Sequence, residues 1–452
     1  MATIMRMEPV FSRSYPTHEK GSDPMADIRP FRALRYDLEK AGRIQDLTCP
    51  PYDIISEDQR REYLSRNDHN IIRLELPKEG ENPYQEAART LKAWQEEGAL
   101  RFDMEEGFYL YEEEFLSKVD QGETKKVRGL VCRVRLEDFQ NGVVLPHEET
   151  LSKAKEDRFQ LLSATQCNFS SIYSLYQDEH HVTAQRLENL SRSCPPRYEF
   201  SDGLVTHRLW VINDPVAIEA LREDFAGRKL YIADGHHRYE TGLRYRDTLR
   251  EQGAYLPGSE YILMTLTDMA DPGLVVFPTH RLVRGLPSFD SAAVLAACQE
   301  NFDLLPQGSR EESQATLDKL YEEGKHAFAL YDGAAWTVLT LKDPAVMDGL
   351  LPEKSQAYRM LDVSILHNLV LERLLGIDKE NMANQKNLTY TRSAQEAEES
   401  VQKGESQCCF LLNPTRVEEI GQVASSGEKM PQKSTYFYPK LITGLVMNSL
   451  QE

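Results

Sequence analysis

The chain has 452 residues, 40% of them apolar and 28% charged, proportions typical of globular proteins. Lys and Arg number 53 against 72 Asp and Glu, so the formal net charge is −19, a balance that repels the nucleic-acid backbone. No stretch approaches the roughly 18 apolar residues that a membrane helix requires. These values exclude a membrane-spanning chain and argue against broad binding of nucleic acid.

The seven cysteines and the N-terminal residues bear on the compartment. The cysteines lack the CxxC spacing of zinc and redox sites, which predicts reduced thiols that lie mostly in the core. Residues 1–27 have no apolar segment followed by a small-residue cleavage site, so they predict a flexible extension rather than a secretory signal. We therefore expect a cytoplasmic protein.

The first half of the chain mixes helical and strand patterns. Prolines favour extended backbone near the start, and alternating apolar residues predict strands further on. The predicted order is extended segments at 28–37 and 48–56, helices at 56–67 with Ser56 as N-cap and at 82–98, and strands at 107–115 and 125–139.

The middle of the chain continues the pattern. Asp214 and Pro215 are typical of a helix start, since Asp is a good N-cap and Pro suits the first helical position. The predicted order is a loop and helix at 145–168, strands at 170–178 and 207–214, a helix at 215–228, a strand, corner and helix at 228–253, and closing strands at 261–269 and 274–283.

A polar, glycine-containing stretch near residue 287 predicts a domain boundary. Beyond it we expect helices at 288–302, 311–324 and 361–377 and strands at 326–332, 334–343, 387–391 and 406–413. The pattern predicts an α+β fold divided into an extension (1–27), an α+β region (28–286) and a C-terminal α/β domain (287–452).

The stretch YIADGHHRYET combines an apolar strand with a polar corner. Gly235 permits a tight turn after Asp234, and His236, His237 and Arg238 then occupy the first turn of a helix. Amide groups at a helix start attract anions, and arginine and histidine side chains add donors. The corner therefore predicts a phosphate-binding site.

Two other interpretations of this corner stay open. In a structural one, the histidines cap the helix and Arg238 pairs with Asp234 or Glu240. In a metal-binding one, the histidines hold zinc, but adjacent helical residues point about 100° apart and do not face one ion. The sequence also lacks the P-loop, GxSxG and GxGxxG motifs.

The motif DGHHRYET resembles the phosphate-binding motif of the ParB and sulfiredoxin-like superfamily, and DGHHR is the form found in its free-serine kinases. The resemblance implies a mixed-sheet core that binds a nucleotide or pyrophosphate. Sulfiredoxins carry a catalytic cysteine after the glycine, whereas this chain has His236 there. ParB proteins add a helix-turn-helix and a basic DNA-binding surface, which are not evident in this sequence.

The whole chain is similar to the bacterial proteins classed as domain of unknown function 1015. The similarity implies a link to the phosphorylated serine pathway, and it rests on these stretches: IRPFRALRYD, CPPYDIIS, LPHEETLSKAKEDR, YIADGHHRYET, FPTHRLV, LDVSILHNLVLERLLGI and MPQKSTYFYPKLITGLV.

Other segments offer groups that would complete such a site. Residues 145–158 supply a mixture suited to a general base and phosphate clamps: His147, Glu148, Lys153, Lys155, Asp157 and Arg158. Residues 430–440 supply Lys433 beside aromatic residues. His280, Arg281 and Asp53 are weaker candidates, and an exposed charged helix face is the structural alternative for residues 145–158.

We expect phosphoryl transfer involving a small hydroxylated metabolite, with serine or phosphoserine as the leading substrate. The expected catalytic residues are Asp234, His237 and Glu148, and the expected phosphate ligands are Gly235, His236, His237, Arg238, His147, Lys153, Arg158 and Lys433. Mg²⁺ would bridge phosphate oxygens, and ATP, ADP or pyrophosphate would be the donor.

The alternatives to a kinase are a phosphoserine phosphatase and a non-catalytic sensor of a nucleotide or phosphometabolite. A ParB-like DNA switch is disfavoured by the charge balance. Metal preference and oligomeric state do not follow from the sequence.

Overall fold

A computed structural model of the chain describes residues 26–116, 122–150 and 152–452. The predicted extension over residues 1–27 lies almost wholly outside these ranges. The described part is mixed α/β, with two larger sheets and three short strand pairs.

The strands up to the middle of the chain are β1 (Ile28–Arg29), β2 (Leu34–Tyr36), β3 (Leu100–Phe102), β4 (Phe108–Leu116), β5 (Thr124–Arg135), β6 (Val144–Leu145), β7 (Cys167–Asn168), β8 (Ile172–Tyr176), β9 (Tyr198–Ser201), β10 (Val205–Ile212), β11 (Leu230–Asp234) and β12 (Tyr261–Asp268). The later strands are β13 (Val275–Val276), β14 (His280–Val283), β15 (Phe302–Gln307), β16 (Ala327–Tyr331), β17 (Trp336–Leu341), β18 (Leu388–Thr391), β19 (Cys408–Leu412), β20 (Phe437–Tyr438) and β21 (Asn448–Ser449).

The helices before the corner are α1 (Leu38–Ala41), α2 (Ile44–Leu47), α3 (Glu57–Arg66), α4 (Ile72–Glu75), α5 (Pro83–Glu96), α6 (Ser152–Thr165), α7 (Val182–Ser193) and α8 (Pro215–Phe225). Those from the corner onward are α9 (His236–Glu251), α10 (Ser291–Cys298), α11 (Arg310–Glu322), α12 (Val346–Leu350), α13 (Gln356–Arg359), α14 (Asp362–Leu366), α15 (Lys379–Ala383), α16 (Ala394–Gln402) and α17 (Val417–Ser425). Single 3₁₀ turns lie at Tyr52–Ile54, Phe139–Asn141 and Pro257–Glu260, and a π-helix follows α14 at His367–Glu372.

The first sheet is a nine-stranded mixed sheet in the order β6-β11-β8-β12-β5-β4-β10-β9, with β1 added beside β5. β11 pairs in parallel with β6 and β12 with β8, while the remaining pairs are antiparallel. β11 is buried over Leu230–Ala233, as the apolar run in the sequence predicts. The carboxyl end of β11 therefore emerges beside the segment that follows β6.

The second sheet is antiparallel in the order β15-β17-β16-β19-β14-β18. The stretch LVVFPTHRLV was expected to close the first block, but it divides between two sheets. β13 pairs with β20, and β14 lies between β18 and β19. The prediction was wrong here because local alternation does not identify strand partners that are more than 100 residues away.

Several helix starts follow local chemistry. Ser56 forms a capping box with Gln59, and Asp214 accepts a hydrogen bond of 2.9 Å from the amide of Ala217, with Pro215 at the first helical position. Both predicted N-caps are confirmed. The most apolar predicted helix, at 361–377, is instead α14 followed by the π-helix.

One large apolar cluster contains residues of both sheets, such as Tyr231 and Leu263 of the first and Phe328 and Phe410 of the second. The segment 430–440 also returns to the first sheet, where Thr435 contacts His147. The predicted division at residue 287 stays a prediction.

In the described ranges, no helix is long and apolar enough to cross a membrane. The cysteines are free, and all but the exposed Cys194 are buried, as the composition predicts.

Candidate functional site

The corner between β11 and α9 requires a glycine. Gly235 has a φ of +97°, in the left-handed region that other residues rarely adopt. A Cβ atom at this position would lie 2.8 Å from Nη2 of Arg238. The N-cap residue of the helix is Gly235 itself, which has no side-chain oxygen to cap the first amides. The predicted strand, corner and helix are confirmed.

Asp234 lies at this corner between two cations. Nη2 of Arg238 donates to its Oδ2 at 3.0 Å, and Nζ of Lys440 contacts its Oδ1. Burial alone would raise the pKa of Asp234, but Lys440 and Arg238 outweigh it and hold that pKa well below its usual range. Asp234 is therefore ionised at neutral pH and is a weak base.

Arg238 is also held by the backbone, because its Nη1 donates to the carbonyl of Ser171 at 2.7 Å. The pairing of Arg238 with Asp234 that the structural interpretation anticipated is present. Nε of Arg238 is buried and has no hydrogen-bond partner in the described residues. Asp234 and Ser171 thus fix the orientation of the Arg238 guanidinium, while its Nε donor stays unsatisfied among the described residues.

His147 and His236 form a buried pair. The amide of His147 donates to Nε2 of His236 at 3.2 Å, and the ring centroids are 4.7 Å apart. Nδ1 of His147 lies 2.6 Å from the carbonyl of Ile232, so it carries the proton, and Nε2 accepts from the hydroxyl of Thr435 at 2.9 Å. These contacts join the residues after β6 to the corner.

Burial lowers the pKa of His147 to about 4 and that of His236 well below its ordinary value. Both rings are therefore neutral at neutral pH. Since both nitrogens of His147 are bonded to protein groups and its side chain is fully buried, it supports the corner from behind.

His237 is half-buried and faces carboxylates. Burial lowers its pKa, and the charges of Glu148, Asp53 and Glu240 oppose that shift. Oε1 of Glu148 accepts the amide N–H of Lys433 at 2.7 Å. Burial raises the pKa of Glu148, against the charge of Lys433. The structure therefore brings His237, Glu148 and Lys433 together, and Asp53 lies within electrostatic range of them.

Arg158 lies behind the corner. Its guanidinium stacks 4.0 Å from the ring of Tyr52, donates to Asp157 at 2.5 Å and lies 3.7 Å from Oε1 of Glu75. A small cavity of about 40 Å³ is lined by Arg158, Glu75 and Arg238. Burial raises the pKa of Glu75, while Arg158 and Arg238 oppose the shift. Arg158 and Arg238 are therefore brought together around one buried carboxyl.

Lys153 is exposed on α6, and the lysine of that helix that reaches the corner is Lys155. Nζ of Lys155 donates to Oε2 of Glu240 at 2.8 Å, and Nζ of Lys429 lies 3.5 Å from Oε1 of the same residue. Burial would raise the pKa of Glu240, but Lys155 and Lys429 lower it. The cations near the α9 carboxylate thus include two that the sequence analysis did not select.

The cation missed at the centre of the site is Lys440, the last residue of the stretch MPQKSTYFYPK. Its Nζ lies 4.5 Å from the ring of Tyr436, and Asp234 raises its pKa despite burial. Spacing within the stretch gives no sign of this role, since its partner is 206 residues away. The one available signal was that Lys440 closely follows the aromatic run at 436–438.

The described residues contain no group of three or more His, Cys, Asp or Glu side chains arranged to hold a metal ion. The site instead combines the start of α9 with cations from three segments and with the titratable side chains of His237 and Glu148. The chemistry of these groups is suited to an anion beside a general base.

A family model described as "Protein of unknown function (DUF1015)" matches residues 28–364. None of the curated proteins compared with the chain matches it. Among solved structures, a conserved hypothetical protein from Pyrococcus furiosus is 15% identical with a TM-score of 0.34, over 72% of this chain and 96% of that one.

A free serine kinase in complex with AMP is 15% identical with a TM-score of 0.35, over 69% of this chain and 88% of that chain. SbnI with C-terminal truncation from Staphylococcus aureus is 11% identical with a TM-score of 0.34, over 70% and 86%.

Proposed function

The chain belongs to the DUF1015 family of proteins of unknown function, and on that premise we propose that it transfers a phosphoryl group to or from a small hydroxylated metabolite. Serine or phosphoserine is the leading substrate. The observation that carries the proposal is the start of α9 after Gly235, where amides without a side-chain cap adjoin the side chains of Arg238 and Lys440. A phosphate group is the anion best matched to those donors.

Phosphate binding would use the backbone of Gly235 and the first turn of α9. The carboxylate of Asp234 forms ion pairs with Arg238 and Lys440 and offsets much of their positive charge. We therefore assign to Asp234 the role of positioning these two cations. Lys433 is exposed, and its backbone amide donates to Glu148. We assign to its ammonium the role of stabilising the negative charge that develops on the oxygens of the transferred phosphoryl group.

Proton removal from the substrate hydroxyl falls to Glu148 or His237. A carboxyl whose pKa is raised holds a proton more readily than an ordinary carboxylate, which suits a general base. Burial lowers the pKa of His237, so its ring is neutral at neutral pH, the form in which a histidine acts as a base. Glu148 is our choice because the amide of Lys433 fixes its orientation.

The donors at the site fit Mg²⁺ in the way that phosphate-bound magnesium is usually held, by one or two carboxylates with phosphate oxygens and water completing the shell. The exposed Asp53 is the carboxylate that would hold it, because Glu148 is assigned as the base and Asp234 is occupied by Lys440 and Arg238. When bound, the ion would neutralise charge on the transferred phosphoryl group. ATP, ADP or pyrophosphate would supply or accept that group.

The test is mass-spectrometric tracking of O-phospho-L-serine incubated with the protein and Mg²⁺, in parallel with ADP, with inorganic phosphate and with neither. Loss of phosphoserine only when an acceptor is present supports a kinase run in reverse and identifies its donor. Loss without an acceptor indicates a phosphatase instead. No loss in any reaction contradicts serine chemistry.

A matched pair of variants assigns the activity to the corner. We expect the double variant His237→Ala, Arg238→Ala to abolish turnover, because it removes two side chains of the corner, whereas Arg244→Ala, on the same helix but with a half-exposed side chain paired to Glu156, retains it. Equal activity of the two variants would place the reaction elsewhere.

A further inference from the structure

A second cavity lies between the second sheet and the helices that follow it. Its volume is about 60 Å³, room for several water-sized groups, and it is partly open to solvent. Its walls include Arg281 of β14, Arg416 before α17, Asp362 at the start of α14 and Glu419 of α17. Charges of both signs thus face one space away from the Gly235 corner.

Arg281 is the unusual member of this set. It is 1% exposed, and its guanidinium donates to two carbonyls, those of Thr279 and Lys433, the latter at 3.2 Å. Its Nε is buried and has no hydrogen-bond partner among the described residues. Glu148 acts on Arg281 only at longer range and already accepts from the amide of Lys433.

A buried charge without a paired opposite charge is costly, so proteins seldom retain one without a compensating group. Burial accordingly lowers the pKa of Arg281 to about 10. Arg416 is half-buried, with its guanidinium stacked 3.9 Å from the ring of Tyr321, and the charges of Glu419 and Asp362 act on it. Arg281 is therefore the arginine of this cavity that lacks a paired anion among the described residues.

The acidic side chains that line the cavity, Asp362 and Glu419, determine which kind of anion fits. Asp362 accepts from Nδ1 of His326 at 2.8 Å, and Oε2 of Glu419 accepts the amide of Arg416 at 2.8 Å. Burial raises the pKa of Glu419 to about 6, and the nearby charge of Asp362 adds to the rise while that of Arg416 opposes it. A phosphate ion filling the cavity would meet these two carboxylates, whereas a ligand with a carboxylate at one end and an ammonium at the other would satisfy both walls.

We propose that this cavity is a binding site for a free α-amino acid, whose carboxylate pairs with Arg281 and Arg416 and whose ammonium faces Asp362 and Glu419. The arginine fork matches a carboxylate in two parallel hydrogen bonds. The hydroxyl or aliphatic part of the ligand is not specified by these contacts.

The site adjoins the phosphate corner through one residue. The carbonyl of Lys433 accepts from Arg281, and its amide donates to Glu148. A carboxylate that draws Nη2 of Arg281 toward itself weakens the bond to Lys433. Ligand binding in the cavity would therefore alter the hydrogen bond that Glu148 accepts from the amide of Lys433.

The test measures thermal unfolding of the full chain with glycine and each of the standard L-amino acids, with acetate and methylamine as half-ligands and with inorganic phosphate. We expect at least one amino acid to raise the unfolding temperature while the half-ligands and phosphate do not. Amino acids without a hydroxyl separate this site from proposed phosphoryl transfer, since they are not acceptors there.

Variants locate the binding. Arg281→Met should weaken amino-acid binding at least about tenfold, the effect of losing a hydrogen bond to a charged group, while leaving the ligand-free protein at least as stable as the wild type. Arg246→Met is the matched control, because Arg246 is equally buried but pairs with Asp138 and Asp247; it should lower stability and keep the amino-acid response.

Glu419→Gln is the second variant, since glutamine still accepts the amide of Arg416 but loses the charge that faces the ammonium. It should weaken binding of the amino acid. The proposal is overturned if no amino acid stabilises the wild type, if phosphate or acetate alone gives the same effect, or if both Arg281→Met and Glu419→Gln keep the full response.

Discussion

Nζ of Lys440 contacts Oδ1 of Asp234, across 206 residues of sequence, and Nη2 of Arg238 holds the other carboxylate oxygen at 3.0 Å. The side chains of Lys440 and Asp234 are only 10% and 18% exposed. The ion pair therefore ties the end of the chain to the corner that begins α9.

Replacing Lys440 by methionine removes one counter-charge from a carboxylate that stays buried. We expect the free energy of unfolding to fall by about 3 kcal/mol, measured by urea denaturation, because a broken buried pair leaves an uncompensated charge. The control is Lys403→Met, which breaks an exposed pair with Glu399 and should leave stability unchanged. Equal effects of the two substitutions would contradict the importance of the Asp234 pair.

Gly235→Ala tests the steric demand of the corner. The new Cβ would clash with Arg238, which must shift, and we expect phosphate or nucleotide affinity to fall in isothermal titration. Gly253 also has a positive φ, +66°, but a Cβ there meets nothing within 4 Å. Both variants should lose about 1 kcal/mol of stability from the left-handed backbone. Binding that is weakened equally in Gly253→Ala would show that the clash with Arg238 is irrelevant.

Glu148→Gln separates proton transfer from binding. Glutamine can still accept the amide of Lys433, so we expect nucleotide affinity to persist while turnover falls at least about 100-fold. Since burial raises the pKa of Glu148 above 4.5, the wild-type rate should decline with acid at a pH above that value. The exposed Glu149→Gln variant should behave as the wild type. Turnover retained in Glu148→Gln would assign the base to His237.

Stability should depend on pH through Glu113 of β4. Burial raises its pKa from 4.5 to about 8, and the hydroxyl of Tyr111 lies 3.0 Å away. Between these pH values the folded state keeps a proton that the unfolded state has lost, so the free energy of unfolding falls as pH rises through the window. Denaturation at both ends of the window should show this loss in the wild type.

In Glu113→Gln the side chain no longer titrates, so the slope of stability against pH should flatten. The control substitution Glu105→Gln, at an exposed residue, should leave the slope of stability against pH unchanged. A slope that survives in Glu113→Gln would mean that other groups carry the pH dependence.

Local features were predictable from local sequence. The apolar run before Gly235 and the polar turn after it predict the β11–α9 corner, and Ser56 and Asp214 act as the N-caps that their positions indicate. Each of these depends on backbone geometry within a few residues, where side-chain chemistry decides the outcome.

Contacts between distant segments were not predictable in the same way. β14 joins the second sheet, and Asp234 takes its partner from residue 440, because pairing depends on how whole elements pack. The candidates at 145–158 include one residue that was predicted correctly and one that was not. Glu148 reaches the corner, whereas Lys153 is exposed and Lys155 is the lysine that pairs with Glu240. The side of a helix that a lysine occupies depends on the neighbour against which that helix packs.

The segment that carries Lys433 and Lys440 lies beyond residue 364, where the family match ends. A fragment restricted to the matched residues would keep β11, Gly235 and α9 but would leave Asp234 without Lys440 and Glu148 without the Lys433 amide. During synthesis the same holds for the growing chain, since the corner leaves the ribosome some 200 residues before Lys440 does. The nascent protein therefore carries an unfinished corner until about 200 further residues have been translated.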